Sequence, residues 1–570
     1  MKANSKGNTG SKKSSRSSPC NAVTPSTHRS SITPKFPRSS IRVHLRSFAA
    51  ILFALVILPG CSRHSPSGVG KSVLRYPIGL EPLSLDPAVL NETPTLEMMQ
   101  NVFEGLVTFD ADNRVVPCLA EKWEISADGK VITFHLRRNV EFHNGRTFNA
   151  DDVKWSLERS LRPETKSGVA ANYLEGVLGA KEVTEGRRKD LFGITVFDPY
   201  TLSITLDRPR GYFLGSLVYP TGWILCREAI SAAHGKVTSR SAVGTGPFRF
   251  ESMKGTKYVL AANRTYWAGK PPLDRIERPI VKDPQVAHVM FENDEVDMCS
   301  VTPADFLNDQ NNPALKPQLH VLPQAVVVFL AMHPRLQPVF NNVKVRRAIA
   351  LSIDKDEIIR VASHGVWTRA DDFLPPGVPG SDPNGPKQIC DPAAAKKLLA
   401  EAGYPDGRGF PRLTLIFTQA IPAWSATSQL IRDQLRRNLG ISVDLQERNS
   451  ATLRSDLLSE RVAFTIGDWG ADYIDPQNFL STLLRSGARM NFFGYSNPGF
   501  DTLCDQADAE SDMAKRIPLY QKADRMAMEE VALLPLVYGS ARILVKPYVQ
   551  NWEHNSMSFL PHYRTRMEKP

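Results

Sequence analysis

The sequence predicts an α/β protein of several lobes, and three observations support that prediction. The chain has 570 residues, whereas a single hydrophobic core stops growing at roughly 250 to 300 residues. From Val73 onward, segments with alternating apolar residues are interspersed with segments whose apolar residues recur at helical spacing. Between residues 412 and 446 a strand pattern, a helical pattern and a second strand pattern follow one another, which implies a parallel pair of strands.

The first clear strand pattern lies within a hairpin signal. Ile132, Phe134 and Leu136 alternate with polar residues, as expected of a half-buried strand. Asp128 and Gly129, shortly before this run, form a dipeptide typical of tight hairpin turns. We therefore expect two antiparallel strands joined at these two residues.

A helix is predicted after this hairpin. Asn149 can cap it, and Asp151 and Asp152 in its first turn lie at the positive end of the helix dipole, where acids are favourable. The residues at helical spacing, which should face the core, are Val153, Leu157 and Leu161.

The later chain predicts a second capped helix and then the β-α-β unit. Asp391 can cap a helix that has Pro392 at its first position and Gly403 beyond its end. The stretch RLTLIFTQ alternates as a strand, residues 423 to 438 are helical, Gly440 ends that helix, and ISVDLQ forms the second strand.

The charge of the chain is unevenly distributed. The net charge of +11 and the pI of 9.2 would fit a protein that binds nucleic acid. However, residues 1 to 60 contain ten Lys or Arg and no acid, and the rest of the chain has 60 basic and 59 acidic residues. This near neutrality removes the main support for a nucleic-acid partner.

The basic leader runs into an apolar stretch, SFAAILFALVILPGC, that ends at Cys61. A run of about a dozen apolar residues is shorter than the roughly 20 needed to span a bilayer, but it fits the core of a secretory signal. Leu58-Pro59-Gly60-Cys61 resembles the end of a bacterial lipoprotein signal. We therefore expect residues 1 to 60 to be a signal peptide and residues 61 to 73 to be a lipidated Cys61 with a flexible tether. An ordinary signal peptide or a transit peptide is the alternative.

The cysteines and the motifs argue against an enzyme or a metalloprotein. The six cysteines after residue 60 are scattered without a CxxC pair, and an odd number remains if Cys61 is lipidated. No Gly-x-Ser-x-Gly elbow, His-Glu-x-x-His helix or phosphate-binding loop occurs. His135 and His143 lie in an irregular register that does not suit a metal pair. We therefore expect no catalysis, no cofactor and no metal.

One short stretch raises a question of charge compensation. WGADYIDP, residues 469 to 476, places Asp472 between Ala471 and Tyr473, with Asp475 directly before Pro476. An acid in such apolar company is costly to bury unless a cation meets it. That cation is either an arginine of the protein or a group of a ligand.

Several motifs in order resemble one known family. They are AEKW, DGK, FHLR, FHNG and ADDV within residues 120 to 153, together with EPLSLDP, NVFEGL, GTGPFRF, NRTYW, FENDEVDM, NNVKVRRAIALSIDKDEI, AAAKKLLAEAGYP and WGADYIDPQNF. This series resembles the family 5 extracellular solute-binding proteins, the oligopeptide and dipeptide binders of ABC importers. The likeness extends over nearly all of the chain after the leader.

The resemblance implies a three-lobed fold of the periplasmic-binding-protein type II-like class, with a ligand cleft between two large lobes. Lobe I would comprise residues 74 to 104, 227 to 325 and 541 to 570, lobe II residues 105 to 226, and lobe III residues 326 to 540. It implies a monomeric, lipid-anchored protein of the periplasm or cell envelope that captures peptides by hinge closure. An ABC permease and its ATPase subunits would be the partners.

The resemblance also implies a set of ligand-binding residues. In this family the N-terminal ammonium of an extended peptide meets the acid after Trp-x-x, which is Asp472 here. Main-chain groups would bind the peptide from two sides by strand addition. These groups belong to Trp469, Gly470 and Ala471 on one side and to Asn91, Glu92 and Thr93 on the other. The alternative for Asp472 is a pair with a framework arginine, or a cap on the turn before Asp475.

The sequence departs from the family where the ligand carboxylate would be bound. Ile466 stands where some tripeptide-accommodating members have Arg, and residues 417 to 430 lack the Arg of dipeptide-binding members. A longer peptide or a non-peptide ligand, such as a nickel complex, an opine or an oligosaccharide, therefore stays open. A secreted hydrolase and a ligand sensor with a signalling partner are the rival functions.

Overall fold

Strands and helices are interspersed through residues 72 to 419 and 421 to 568, the part of the chain that this computed structural model describes. The predicted signal segment, Cys61 and most of the predicted tether lie outside the described residues. The strands are β1 Val73–Arg75, β2 Val107–Phe109, β3 Val115–Pro117, β4 Ala120–Ile125, β5 Val131–Leu136, β6 Ile194–Asp198, β7 Thr201–Thr205, β8 Phe248–Lys254, β9 Lys257–Ala262, β10 Arg275–Pro279, β11 Met298–Ser300, β12 Leu319–Met332, β13 Thr368–Arg369, β14 Leu413–Thr418, β15 Val443–Arg448, β16 Phe464–Gly470, β17 Leu534–Val545, β18 Val549–Gln550 and β19 Arg566–Met567.

The α-helices are α1 Thr93–Met99, α2 Ala150–Leu161, α3 Ala170–Leu174, α4 Ala180–Thr184, α5 Phe213–Ser216, α6 Arg227–Ala232, α7 Pro284–Glu292, α8 Pro303–Asp309, α9 Val343–Ser352, α10 Lys355–Ala362, α11 Pro392–Glu401, α12 Pro422–Leu439, α13 Ser450–Leu458, α14 Leu480–Leu484, α15 Pro498–Ala509 and α16 Met513–Glu530. Short 3-10 turns occur at Pro163–Thr165, Pro220–Gly222, Lys316–Gln318, Pro338–Asn341, Pro405–Gly407 and Pro476–Asn478. Among the described residues, no helix combines the length and the apolar character that crossing a membrane requires.

The predicted hairpin and the helix after it are both confirmed. β4 and β5 pair antiparallel, and Gly129 turns between them at a φ of 69°, where glycine is favoured. Asn149 caps α2 by accepting hydrogen bonds from the main-chain N–H groups of Asp151 at 3.0 Å and Asp152 at 3.3 Å. The three residues predicted to face the core are buried: Val153, Leu157 and Leu161.

The β-α-β unit also forms as predicted. β14 and β15 are parallel, from Leu413 opposite Val443 to Thr418 opposite Arg448. α12 connects them and ends at Gly440, whose φ of 72° is left-handed. The unit therefore places its two strands side by side at one end of a larger sheet.

That sheet has the strand order β11-β17-β12-β16-β14-β15. β12 and β17 pair in two blocks, Leu319–Pro323 with residues 540 to 544 and Val327–Leu330 with residues 534 to 538, with irregular register between the blocks. β16 pairs with β12 along seven residues, but it meets β14 only where Thr465 lies opposite Ile416.

The buried apolar residues form several cores that divide the chain. One core lies within residues 106 to 226. A second combines early residues such as Leu74 with Ile276 and with late residues such as Ile543. Two further cores lie mainly within residues 325 to 538 and contain alternate residues of β12. Because successive residues of a strand point to opposite faces, these two cores cover the two faces of the large sheet.

Candidate ligand-binding cleft

The chain encloses a cleft of about 810 Å³. Its walls come from parts of residues 91 to 118, which include α1, β2 and β3, from residues 218 to 223 and 266 to 268, from the middle of β12, from the end of β16 and from residues 553 to 564. This volume lies near the upper end of the roughly 300 to 1,000 Å³ typical of ligand pockets. The cleft can therefore hold an organic ligand much larger than a metal ion.

The end of β16 forms one wall of the cleft. Asp468 and Gly470 line the cleft, whereas Trp469 between them does not, as the alternation of a strand requires. The N–H of Ala471 donates to the carbonyl of Ala325 at 2.8 Å, which extends the pairing with β12. On the opposite edge, no described strand pairs with residues 466 to 470. The main chain there presents an unpaired edge.

Asp472 follows this edge and lines the same cleft. Desolvation raises the pKa of its carboxyl to about 6, while hydrogen bonds from Tyr173 and Asn478 favour the ionised form. In the part of the chain that the structure describes, no Lys, Arg or His contributes to its environment as a charge partner. The Asp472 carboxylate therefore has no cation partner within residues 72 to 419 and 421 to 568.

Asp475 has the opposite environment. The guanidinium of the fully buried Arg516 donates to its carboxylate through two nitrogens, at 2.6 and 2.7 Å. Arg516 also donates to the carbonyl of Ala507 at 3.0 Å. Arg516 is therefore a framework arginine that pairs with Asp475.

Asn478 forms hydrogen bonds to one residue of the unpaired edge and to Asp472, which follows that edge. Its side-chain oxygen accepts hydrogen bonds from the indole N–H of Trp469 at 3.1 Å and from the main-chain N–H of Asp472 at 3.0 Å. The side chain is 1% exposed. Sequence analysis missed Asn478, and its only local signal is that it closes the short turn that Asp475 begins.

Five of the seven predicted ligand-binding residues line the cleft. They are Asn91, Thr93, Gly470, Ala471 and Asp472. The other two, Glu92 and Trp469, do not line it. Glu92 accepts a hydrogen bond from the Thr95 hydroxyl at 3.1 Å at the start of α1, and Trp469 directs its indole to Asn478.

Aromatic rings surround the Asp472 end of the cleft. Tyr173 stacks on Tyr219 with ring centroids 3.9 Å apart, and Tyr212 lies parallel to Tyr473 at 6.3 Å. The Tyr219 hydroxyl donates to the carbonyl of Leu90 at 3.3 Å. These rings exclude water from one side of the carboxylate, which is the physical cause of its raised pKa.

The opposite wall contains a carboxylate whose partners are all internal. Glu104 accepts hydrogen bonds from Thr245 and Tyr266 at 2.7 Å each and from the indole of Trp267 at 3.2 Å. Burial raises the pKa of its carboxyl. Its hydrogen bonds are therefore made within the wall, and it is a part of the framework.

The described residues contain no cluster of three or more His, Cys, Asp or Glu suited to a metal ion. His143 is held by main-chain groups, with Nε2 at 2.9 Å from the Gly246 carbonyl and Nδ1 accepting from the Gly244 N–H at 3.2 Å. The five described cysteines are all unpaired: Cys118, Cys226, Cys299, Cys390 and Cys504.

Comparison with known proteins gives the family. Residues 114 to 491 match the model for the middle part of the bacterial extracellular solute-binding proteins, family 5. The chain belongs to this family. Family 5 proteins bind solutes for ABC transport and are not enzymes, so the sequence prediction of a non-enzymatic binding protein is confirmed.

Family 5 relatives match along most of the chain. The periplasmic oligopeptide-binding protein OppA of Escherichia coli is 29% identical over 498 residues, 85% of this chain and 91% of OppA. Heme-binding protein A of Haemophilus influenzae is 28% identical over 542 residues, 90% and 98% of the two chains. The Escherichia coli murein tripeptide-binding protein MppA superposes with a TM-score of 0.74 at 24% identity, covering 88% of this chain and 99% of MppA. The type II periplasmic-binding-protein fold is thereby confirmed.

Proposed function

We propose that this protein is the substrate-binding component of an ABC importer and that it captures peptides in the cleft beside β16. One observation carries the proposal: a desolvated carboxylate without an internal cation, Asp472, lies at the end of an unpaired strand edge inside the cleft. The N-terminal ammonium of a peptide matches the carboxylate, and the peptide main chain next to it matches the unpaired strand edge. The oligopeptide-binding function named for OppA agrees with this assignment.

The Asp472 carboxylate binds the N-terminal ammonium of the peptide. A charge-assisted hydrogen bond is about twice as strong as a neutral one, and a water-poor site strengthens it further. Loss of the acid would leave a buried ammonium unpaired, at a cost of about 3 to 5 kcal/mol. Asn478 fixes the main chain next to Asp472, so the carboxylate is held in place before the ligand arrives.

The main chain of the peptide pairs with the free edge of β16 at Gly470, beside Ala471, while Asn91 and Thr93 face it from the other wall. Main-chain pairing does not depend on ligand side chains, so peptides of many sequences can bind. Water in the remaining volume of the cleft adapts to those side chains.

We also propose that the three lobes have the boundaries predicted from the sequence and that a hinge joins lobes I and III. The core within residues 106 to 226 supports lobe II, and the core shared by both ends of the chain supports lobe I. The large sheet with its two cores supports lobe III. The irregular register between Pro323 and Val327, opposite Ser540 and Tyr538, is a candidate hinge. Closure of the cleft is an equilibrium that the ligand shifts by binding one state better.

We also propose that the protein is a monomer of the periplasm or cell envelope, held by a lipid on Cys61 and delivering its ligand to a permease and ATPase. The signal-like leader and the periplasmic name of OppA support this location. Cys61→Ser tests the anchor: the variant should move from the membrane fraction to the soluble fraction. Retention in the membrane fraction would contradict lipidation at this cysteine.

Calorimetric titration of residues 62 to 570 with peptide pools tests the function. Free-amine pools should bind, whereas N-acetylated pools and the Asp472→Asn variant should lose most of the affinity. Asp406→Asn is the matched control, because Asp406 is solvent-exposed and lies outside the cleft. Hemin is included because of the name of the Haemophilus influenzae relative. Binding of hemin but of no peptide, by folded protein, would overturn the proposal.

A further inference from the structure

Asp468 is another carboxylate of the cleft that has no cation partner among the described residues. Asp468 lines the cleft on the same face of β16 as Gly470 and remains solvent-exposed within it. Desolvation by the surrounding walls raises the pKa of its carboxyl, and no charged group of the described residues contributes to its environment. An open cleft with low-dielectric walls accounts for both the exposure and the raised pKa.

The other charged side chains that line the cleft have hydrogen-bond or ion-pair partners within the described residues, as Glu104 does with Thr245, Tyr266 and Trp267. Asp110 accepts from the main-chain N–H groups of residues 112 and 114 at 2.9 and 2.8 Å. Asp112 pairs with Arg114 at 3.3 Å. Arg564, the only basic side chain among the described lining residues, pairs with Glu553 at 3.2 Å.

Asp468 and Asp472 therefore line the cleft without a cation partner among the described residues, and the one basic side chain in the described lining is already paired. Side chains in a cleft that carry one sign of charge attract ligands of the opposite sign. A peptide ammonium neutralises one of the two carboxylates. The other remains for a second cationic group of the same ligand.

We infer that the cleft selects peptides that carry a basic side chain, Lys or Arg, and that Asp468 is the residue that binds this side chain. The inference rests on the proposed function, because it assumes that the peptide N-terminus is held at Asp472. It adds a substrate class, cationic peptides, to the peptide assignment.

The spacing of the two acids fits an extended peptide. β16 is extended through Gly470 and Asp472 follows two residues later, so the two acids are at most about 13 Å apart at about 3.3 Å per residue. A ligand whose amine lies at Asp472 and whose chain follows β16 thus brings an interior side chain near Asp468. The same charge disfavours a ligand C-terminus at this point, which agrees with the absence of a basic residue at Ile466 and argues for peptides that extend beyond it.

The inference is tested with pentapeptides of alanine that have a free N-terminus and one variable residue. At positions 2, 3 and 4 this residue is Lys, Nε-acetyl-lysine or Glu, so that Lys and its neutral analogue differ mainly in charge. Each peptide is titrated into the wild type and into Asp468→Asn and Asp406→Asn. Asp406→Asn changes the net charge by the same amount outside the cleft.

At one or two positions the wild type should bind the Lys peptide about tenfold more tightly than the acetyl-lysine peptide, and the Glu peptide least tightly. This ratio should fall to about one to two in Asp468→Asn, remain in Asp406→Asn, and decrease at high salt, because an exposed ion pair is screened.

Two results would overturn the inference, and they differ in what they say about the proposed function. If the acetyl-lysine peptides bind but the ratio is near one at every position, or is unchanged in Asp468→Asn, cationic selection is wrong and peptide capture stands. If no peptide of any charge binds the wild type, the proposed function and the inference both fail.

Discussion

At the scale of residues, Asp472 and Asp475 show how one short segment can serve both function and stability. Asp475 meets Arg516 in a bidentate, buried pair, whereas Asp472 has only hydrogen bonds from Asn478 and Tyr173. The first carboxylate is compensated within the folded chain. The second has no cation partner among the described residues, so the ligand-free protein retains an unfavourable charge, which the ligand ammonium would neutralise in the proposed function.

The difference in free energy of unfolding between Asp472→Asn and the wild type should depend on pH in a defined direction. An unfolded Asp has a pKa near 3.9, whereas burial raises that of Asp472 to about 6 in the folded protein. Ionisation therefore destabilises the folded state above pH 6, and this cost disappears as the pH falls toward 4. Without ligand, Asp472→Asn should be more stable than the wild type by about 1 to 3 kcal/mol at pH 7.5 and equal to it near pH 4.

Scanning calorimetry of the two ligand-free proteins from pH 4 to 8 measures this difference. Other buried acids, such as Asp508 with its pKa raised to about 6, are common to both proteins and cancel. A variant that is less stable than the wild type at pH 7.5 would contradict the account of Asp472 as an uncompensated charge.

Asn478→Ala should weaken ligand binding although Asn478 is not among the residues that line the cleft. The substitution removes the acceptor for the Trp469 indole and for the Asp472 N–H, and a buried donor left unpaired costs about 1 to 3 kcal/mol. We expect a lower Tm and at least a fivefold loss of peptide affinity in calorimetric titration. Unchanged affinity in a folded variant would show that Asn478 does not position Asp472.

The site could be predicted from the sequence only in part, for physical reasons that differ between residues. Asp472 was predicted because the motif around it is local. The partners Arg516 and Tyr173 come from distant segments, and no local pattern assigns Arg516 to Asp475 rather than to Asp472. Asp468 precedes the motif by one residue, and its role depends on which face of β16 lines the cleft.

At the scale of elements, the predicted elements are those with strong local signals. Asn149 and Asp391 cap α2 and α11, and Gly440 ends α12, because side-chain and backbone preferences at helix ends act over only a few residues. The pairing of β16 with β12 was not predicted, since the two strands are far apart in the chain. Because β16 pairs with β12 on one side and meets β14 at only one residue on the other, residues 466 to 470 have a free edge on that second side.

The Arg516–Asp475 pair connects α16 to the short turn that contains Asn478, so it should contribute strongly to stability. Arg516→Met leaves the Asp475 charge buried and unpaired, and we expect a loss of about 3 to 5 kcal/mol. In the double variant Arg516→Met with Asp475→Asn the charge is also removed, so part of that loss should be recovered. Chemical denaturation of the two single variants and the double variant measures this, and purely additive effects would contradict a coupled pair.

At the scale of the whole molecule, the proposed function requires movement about β12 and β17. These strands contribute to the core shared by both chain ends and to the two cores of the large sheet. The irregular register between their two paired blocks occurs beside Gln324, Ala325 and Val326, which line the cleft. Binding and bending would therefore occur at adjacent residues.

Solution X-ray scattering should detect this movement. A tight-binding peptide should decrease the radius of gyration of the wild type, because ligand binding favours the closed state. Asp472→Asn at the same peptide concentration should show no decrease, and Asp406→Asn should behave as the wild type. An identical radius with and without saturating ligand would contradict hinge closure.

The unpaired edge of β16 also bears on aggregation. A sheet edge with free N–H and C=O groups is a template on which other chains can add, and natural proteins usually block such edges with charges, bulges or covering segments. Here the edge lies inside a cleft of about 810 Å³, a volume typical of a pocket for a single ligand. The walls of the cleft shield the edge from the strand edges of neighbouring protein molecules, while a single short peptide could still reach it in the proposed function. Conditions that hold the cleft open should therefore also promote self-association.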